Sequence, residues 1–452
     1  MFSYIPHTEH DVSDMLKAIG ISDIEELFSD IPPNVRIKKP LSIPEGISEF
    51  EVTERLKALA EKNKLGVSFL GCGSYDHIIP SVVRHITSKS EFYTSYTPYQ
   101  AELSQGTLKA IFEFQTLICE LTGLDVSNAS LYDGSTAACE ACSIALQERK
   151  NSHTILVSST VHPHTIATLR TFFRGLDVHI TEIADEGGAP SLSDLSSKLN
   201  DDVAACLVQT PNFFGFLEDY TEIARLVSAR GALFIISANP LSLAVLKSPG
   251  EWGADIAVGD TQPLGLAPYF GGPTAGYIAA KEKYLRKMPG RIVGQTTDRD
   301  GNRAFVLTLQ AREQHIKRER ATSNICSNQA LAALATTVYL CAMGKEGVRE
   351  VALQNIQKSH ELALRIEEEC NIPLLYKKDF FNEFSIRLPM PASDVIAAME
   401  ESRIFAGVSQ ERFFPERMKN VLTIAVTEKR TKAELELYVK TLKRVTLRGE
   451  VQ

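Results

Sequence analysis

The sequence predicts an α/β protein whose main sheet is largely parallel and covered on both faces. Three observations carry this. Between about residues 130 and 290, short apolar runs recur without the period-two alternation of a half-exposed strand. Amphipathic segments of helical period separate several of them. After about residue 340 the rhythm changes to helices interleaved with isolated strand runs, the pattern of a small α+β unit. Three regions follow: an N-terminal arm over 1–65, a large α/β domain over 66–340 and a small C-terminal α+β domain over 341–452.

In the arm, Ser22-x-x-Glu25 before a Leu-Phe run reads as a capping box. The stretch DIPPNVRIKKPLSIPEG has four prolines and is expected to be extended, since proline removes donors and restricts its predecessor. Leu108, Ile111, Phe112, Ile118 and Leu121 have helical spacing, and Gly123 stops that helix. The strand runs are TILVSS from 154, VHITEI from 178, VAACLVQ from 203, ALFIIS from 232, DIAVG from 255 and AGYIAA from 275. Asp219-x-x-Glu222 starts a helix that Gly231 ends. A long helix is expected over 345–369, then strands at EFSIRL (383–388) and VLTIAV (421–426). A helix near 393–401 lies between them, and Thr431-x-x-Glu434 caps the last.

Composition excludes several classes. Of 452 residues, 44% are hydrophobic and 23% charged, as in ordinary globular chains. Forty-eight basic against fifty-six acidic residues give a net charge of −8, which argues against nucleic acid as a partner. No apolar run approaches the roughly 18 residues that span a bilayer, and no membrane partner is expected. The first residues lack the basic n-region and apolar stretch of a signal peptide, so the cytoplasm is the expected location. Eight cysteines in this length do not form a disulfide framework. The Cys139-x-x-Cys142 pair lacks a second ligand pair, so it reads as small residues on a buried helix, and no metal site is expected.

Two stretches suggest a ligand site. DGSTAACEA at 133–141 places Gly134, Ser135 and Thr136 at a helix start, where free N–H groups and the helix dipole suit a phosphate; a plain helix start has the same composition. In VHPHT at 161–165, His162 or His164 either stacks on an aromatic cofactor or serves as a satisfied histidine at a helix N-terminus.

The order of these pieces resembles the large domain of the aspartate-aminotransferase-like pyridoxal-phosphate enzymes, whose sheet is of the seven-stranded type. In that fold an aspartate at the end of the strand matching ALFIIS pairs with the pyridine nitrogen, and a lysine after the strand matching DIAVG bonds the cofactor. Here the first position reads Ile236 or Ser237, and the turn reads Asp260-Thr261-Gln262-Pro263, with Pro263 where the lysine belongs.

Three longer stretches are YTSYTPYQAELSQGTLKAIFEFQTLICELTGLDVSNASLYDG at 93–134, MPGRIVGQTTDRDG at 288–301 and LTLQAREQHIKRERATSNICSNQAL at 309–331. All three resemble the glycine decarboxylase, or P-protein, family of the glycine cleavage system. Some bacteria split that enzyme into two homologous chains, and this one resembles the first, alpha, chain, while the lysine belongs to the second. The resemblance implies a glycine dehydrogenase (aminomethyl-transferring), an oxidoreductase of glycine catabolism. Glycine is decarboxylated on pyridoxal phosphate held by the partner subunit, and the aminomethyl group passes to the lipoyl arm of H-protein. The expected assembly is an α2β2 heterotetramer.

Within those stretches Tyr96, Tyr99 and Gln100 sit by Pro98 on a stiffened loop. They either bond a carboxylate and line the lipoyl channel, or only pack at an interface. Arg312 and His315 are carried over from the motif as interface residues that could clamp the glycine carboxylate or the partner's phosphate. Lys317 and Arg320 read as a solvated charged face. Two other hypotheses stand beside the enzyme subunit: a non-catalytic scaffold or regulatory subunit of the same complex, and a free-standing lyase using Lys247 or Lys281.

Overall fold

The computed structural model describes residues 4, 6–37, 39, 41–269 and 271–449. The chain divides into a unit of residues 1–64 and a unit of 65–452.

In the first unit, α1 (Glu9–Ile19) is capped reciprocally by Thr8 and Asp11 and stopped by Gly20 at φ +88°. The expected Ser22–Glu25 box is displaced by one residue. Asp23 caps a 3-10 turn over Ile24–Phe28, and the Glu26 carboxylate accepts from Ser22 N, Ser22 Oγ and Asp23 N at 2.8–3.1 Å. One carboxylate that collects three donors outcompetes Glu25, which collects none of these. The proline-rich stretch is not extended throughout, because Val35 N bonds Pro32 O at 3.0 Å and closes a turn. Lys38 and Pro40 of that stretch lie outside the described residues. Helix α2 (Glu49–Ala60) starts at a Ser48–Glu51 box. No described residue of this unit is buried.

The second unit is built on seven strands: β1 (Val126–Ser127), β2 (Thr154–Ser158), β3 (His179–Ile183), β4 (Val203–Thr210), β5 (Leu233–Ala238), β6 (Ile256–Asp260) and β7 (Gly276–Ala280). Their spatial order is β1-β7-β6-β5-β4-β2-β3. The pairs β2–β3, β2–β4, β4–β5 and β5–β6 are parallel; β7 runs antiparallel to β6 and β1. Helix α3 (Gln105–Thr122) ends at Gly123 in the left-handed region, as its sequence signals. Helices α4 (Gly134–Glu148), α5 (Pro163–Phe172) and α6 (Thr221–Ala229) follow β1, β2 and β4.

Successive residues of a strand face opposite layers. Ile235 and Val258 join Ile155, Leu207 and Ile278 in the core beneath α4. Phe234 and Ile236 join Val208 and Val227 in the core on the other side. Each such buried side chain stabilises by about 1.5–3 kcal/mol relative to exposure. Burial on both faces is why these runs show no alternation in sequence.

Strands β8 (Ile292–Thr297) and β9 (Arg303–Thr308) form a hairpin that packs on α3 through Val293, Phe305 and Leu307. The long helix α7 (Ala330–Cys370) begins fifteen residues before its expected start and is broken at Gly344, φ +63°. Its first part reads ALAALATTVYLCAM. So many small and apolar residues leave no polar face to reveal a helical period. Beyond it β10 (Glu383–Arg387), β11 (Val408–Ser409) and β12 (Val421–Ala425) form an antiparallel sheet in the order β10-β12-β11. Helices α8 (Ala392–Glu400) and α9 (Lys432–Gly449) contribute Val395, Met399, Leu435 and Tyr438 to its core. Among the described residues no helix is long and apolar enough to cross a membrane.

Candidate functional site

Two sites take shape in the second unit. The first is a cavity of about 320 Å³ at the carboxyl ends of the parallel strands, where open α/β sheets hold ligands. Gly134, Ser135, His162, Ser237, Asp260, Pro263 and Glu383 line it. Backbone approach explains one of these: a Cβ on Gly134 would sit 3.1 Å from Asp260 Cβ and N, tighter than an ordinary contact, so glycine lets α4 start directly against the end of β6 without displacing it.

The helix start that suits a phosphate is already engaged. Gly134 N donates to Asp260 Oδ2 at 3.1 Å, Thr136 N donates to Asp133 Oδ1 at 2.8 Å, and Ser135 Oγ bonds Thr165 Oγ1 at 3.0 Å. Asp260 also accepts from Gln262 N and Thr274 Oγ1. Burial still pushes its pKa up to about 6. Glu383 accepts from Cys72 N at 2.5 Å and Tyr75 Oη at 3.0 Å, and burial raises it to about 7. Three acids, Asp133, Asp260 and Glu383, thus face a cavity whose described lining includes no lysine or arginine.

His162 is the N-cap of α5. Its Nδ1 accepts from His164 N at 3.1 Å, so Nε2 carries the proton and donates to Cys72 O at 3.0 Å. Burial lowers its pKa to about 4 and keeps it neutral. Edge contacts to Phe213 and Phe413 fix the ring. It is therefore a satisfied helix-start histidine that also lines the cavity.

The position expected for the ring-nitrogen aspartate needs one correction. Strand pleating turns Ile236 into the far core, so Ser237 is the residue that faces the cavity. Neither lysine of the lyase hypothesis lines it. Lys247 Nζ stacks 3.8 Å over the Trp252 ring, and Lys281 Nζ pairs with Asp255 at 3.0 Å, at the opposite end of β6. In the turn, Gln262 bonds Tyr75 N, Tyr75 O and Leu266 O at 2.8 Å and so fixes the loop that walls the cavity.

The second site is where the three long stretches meet. Tyr99 Oη accepts from Arg291 Nη2 at 3.3 Å, and Arg291 Nη1 donates to Ser327 Oγ at 3.3 Å. His315 packs edge-on against the Tyr99 ring, 6.4 Å between centroids. Arg312 Nη1 donates to Met288 O, but its Nε and Nη2 are buried without acceptors. Burial lowers the pKa of Arg312, and the nearby Glu313 charge only opposes this. Beside His315 a cavity of about 450 Å³ opens between Gln314, Arg318, Glu319, Ile325 and Cys326. Tyr96 is 74% exposed. It stands out from this cluster, as does the exposed Gln100, whose carbonyl caps Leu103 N and Ser104 N.

Sequence reasoning missed Tyr75, Arg291 and Glu383. An acid opening the apolar run EFSIRL was a visible signal for Glu383. Arg291 lay in a quoted motif, with no sign that it would be buried.

A family model described as "Glycine cleavage system P-protein" matches residues 2–442. The chain belongs to that family. It is 50% identical over 442 residues to the probable glycine dehydrogenase (decarboxylating) subunit 1 of Carboxydothermus hydrogenoformans, covering 97% of this chain and 99% of that protein. It is 51% identical over 442 residues to the protein of the same name from Geobacillus kaustophilus, covering 97% and 98%. Among solved structures, an inhibitor-bound glycine decarboxylase (P-protein) of the glycine cleavage system superposes with a TM-score of 0.89. It is 42% identical over 98% of this chain and 100% of that one. A sphingosine-1-phosphate lyase from Burkholderia pseudomallei, 12% identical, superposes with a TM-score of 0.66 over 92% of this chain and 94% of that one, and shows the fold alone. The P-protein fold is thus the aspartate-aminotransferase-like α/β fold expected from the order of the motifs.

Proposed function

We propose that this chain is the subunit of a two-chain glycine decarboxylase that does not itself bond the cofactor. It lends the face formed by Tyr99, Arg291, Arg312 and His315 to a reaction centre whose pyridoxal phosphate belongs to a second, homologous subunit. One observation carries this reading: the strand-end cavity does not fit the cofactor. Pro263 stands where an amine is required, the α4 start is engaged by Asp133 and Asp260, and no described lysine or arginine lines the cavity. A phosphate dianion set against two carboxylates is repelled.

When bound, pyridoxal phosphate supplies an electron sink for decarboxylation. This chain's groups bind and orient. The two unpartnered nitrogens of Arg312 suit a carboxylate or phosphate, which a guanidinium grips bidentately. Tyr96, Tyr99 and Gln100 supply further donors on a loop held by Pro98, and Ile325 beside the second cavity helps exclude water. The resemblance further supports a lipoyl H-protein as the acceptor of the aminomethyl group, an α2β2 assembly and a cytoplasmic setting.

The test is co-expression of this chain with its homologous neighbour, followed by glycine-dependent exchange of carbon dioxide. Exchange by the pair, with none by either chain alone, is expected. Exchange by this chain alone, with the cofactor trapped on it by borohydride, would sink the reading. A pair in which Arg312→Ala and Tyr96→Ala keep full turnover would leave this chain a scaffold.

A further inference from the structure

Arg291 is 2% exposed, yet among the described residues no carboxylate lies within ion-pair distance of it. The contrast is Arg430, also buried, which pairs with Asp76 at 3.1 Å and Glu434 at 3.7 Å. The Arg291 guanidinium instead bonds two hydroxyls, Ser327 and Tyr99, and its Nε has no acceptor. An uncompensated buried cation is costly, and a well-packed apolar side chain at such a position is often neutral or stabilising. Folding alone therefore does not call for arginine at 291.

What the arginine does is fix the sense of one hydrogen bond. A guanidinium has donors and no acceptor, so Tyr99 Oη must accept from Nη2. The phenol proton is thereby directed away from Arg291. The guanidinium carbon lies 5.6 Å from the Tyr99 ring centroid and His315 abuts the ring's edge, so the ring is held on two sides. About half of Tyr99 remains exposed. A donor bonded to a hydroxyl oxygen polarises its O–H and strengthens it as a donor in turn.

We propose that Arg291 is a positioning residue that presets Tyr99 as an outward hydrogen-bond donor to an anionic oxygen, of a carboxylate or a phosphate, in the reaction centre completed by this face. This rests on the functional reading above. The exposed phenol meets the anion; the buried guanidinium acts only through it.

A double-mutant cycle in the reconstituted complex tests this. Tyr99→Phe is expected to lower kcat/KM for glycine about ten- to a hundred-fold, the scale of a lost hydrogen bond to a charged group. Arg291→Met is expected to lower it similarly in the native background but less than about three-fold beside Tyr99→Phe. Arg291→Lys, which keeps one charged donor, restores part of the loss. The urea midpoint of Arg291→Met is expected to equal or exceed that of the native chain, which separates positioning from support of the fold. If the oxygen is the substrate's carboxylate, Tyr99→Phe raises the KM for glycine. If it is the cofactor's phosphate, the KM holds and the complex loses pyridoxal phosphate faster on dialysis. Losses that are additive across the cycle, or an Arg291→Met variant with native kinetics, overturn the proposal alone. A native complex without exchange overturns the functional reading and the proposal with it.

Discussion

Replacing Glu383 by glutamine is expected to stabilise the protein at pH 8 and to change it little at pH 5. Glu383 opens β10, is fully buried and holds the Cys72 N–H and the Tyr75 O–H. Burial outweighs those bonds and raises its pKa from the ordinary 4.5 to about 7. The rise from 4.5 to about 7, at about 1.4 kcal/mol per pH unit, amounts to about 3 to 4 kcal/mol. The folded chain binds this proton more tightly than the unfolded chain does. The contribution is therefore present in full below pH 4.5 and is lost as pH rises through 7. Most of the loss, about 2 to 3 kcal/mol, falls between pH 5 and pH 8. Glutamine reproduces the protonated acid: Oε1 accepts from Cys72 N, and Nε2 donates to the Tyr75 oxygen, whose O–H then turns away from residue 383. Urea unfolding of both proteins at the two pH values measures the difference. The variant's advantage should grow by about 2 to 3 kcal/mol from pH 5 to pH 8. An advantage that is flat or shrinking with pH would refute the claim that this carboxyl is held protonated by burial.

Other outcomes follow from the same geometry. Incubating the isolated chain with pyridoxal phosphate and borohydride should leave the peptide over 254–272 unlabelled by mass spectrometry, because it contains no lysine; adducts are expected only on exposed lysines such as Lys283, at the low stoichiometry of surface amines. Arg312→Ala should lower kcat/KM of the reconstituted enzyme about thirty- to a hundred-fold, the scale of a truncated buried charge contact, as read by glycine-dependent carbon dioxide exchange. Asp133→Ala should cost about 1 kcal/mol in urea unfolding, since it removes the acceptor for Thr136 N at the start of α4.

Much of the fold was legible. Every run read as a strand between 154 and 280 is one; for all but the edge strand β3, which is mostly half-buried, burial on both faces forces a continuous apolar run, and such runs are short and bounded by turns. Glycine stops such as Gly123 and caps such as Thr431–Glu434 were equally plain, since capping chemistry is local. The start of α7 was missed because a run of small and apolar residues has no polar face to mark a helical period, even where Leu331 and Cys341 are exposed. The Ser22–Glu25 box slipped by one residue because several carboxylates competed for the same donors.

The candidate site was legible only in part, and the division has a physical cause. The sequence by itself determined that the turn after β6 has no amine, that Gly134, Ser135 and Thr136 open a helix, and that Tyr99, Arg312 and His315 lie in distinctive stretches. Residue type and short spacing decide such things. Only the tertiary structure brought Tyr99 beside Arg291, 192 positions along the chain, and Asp260 against Gly134, 126 positions away. Only it showed that the Arg291 charge is buried without a carboxylate, and that Ser237 rather than Ile236 faces the cavity. Those facts depend on which distant groups share a desolvated space, and no local pattern of side chains encodes that.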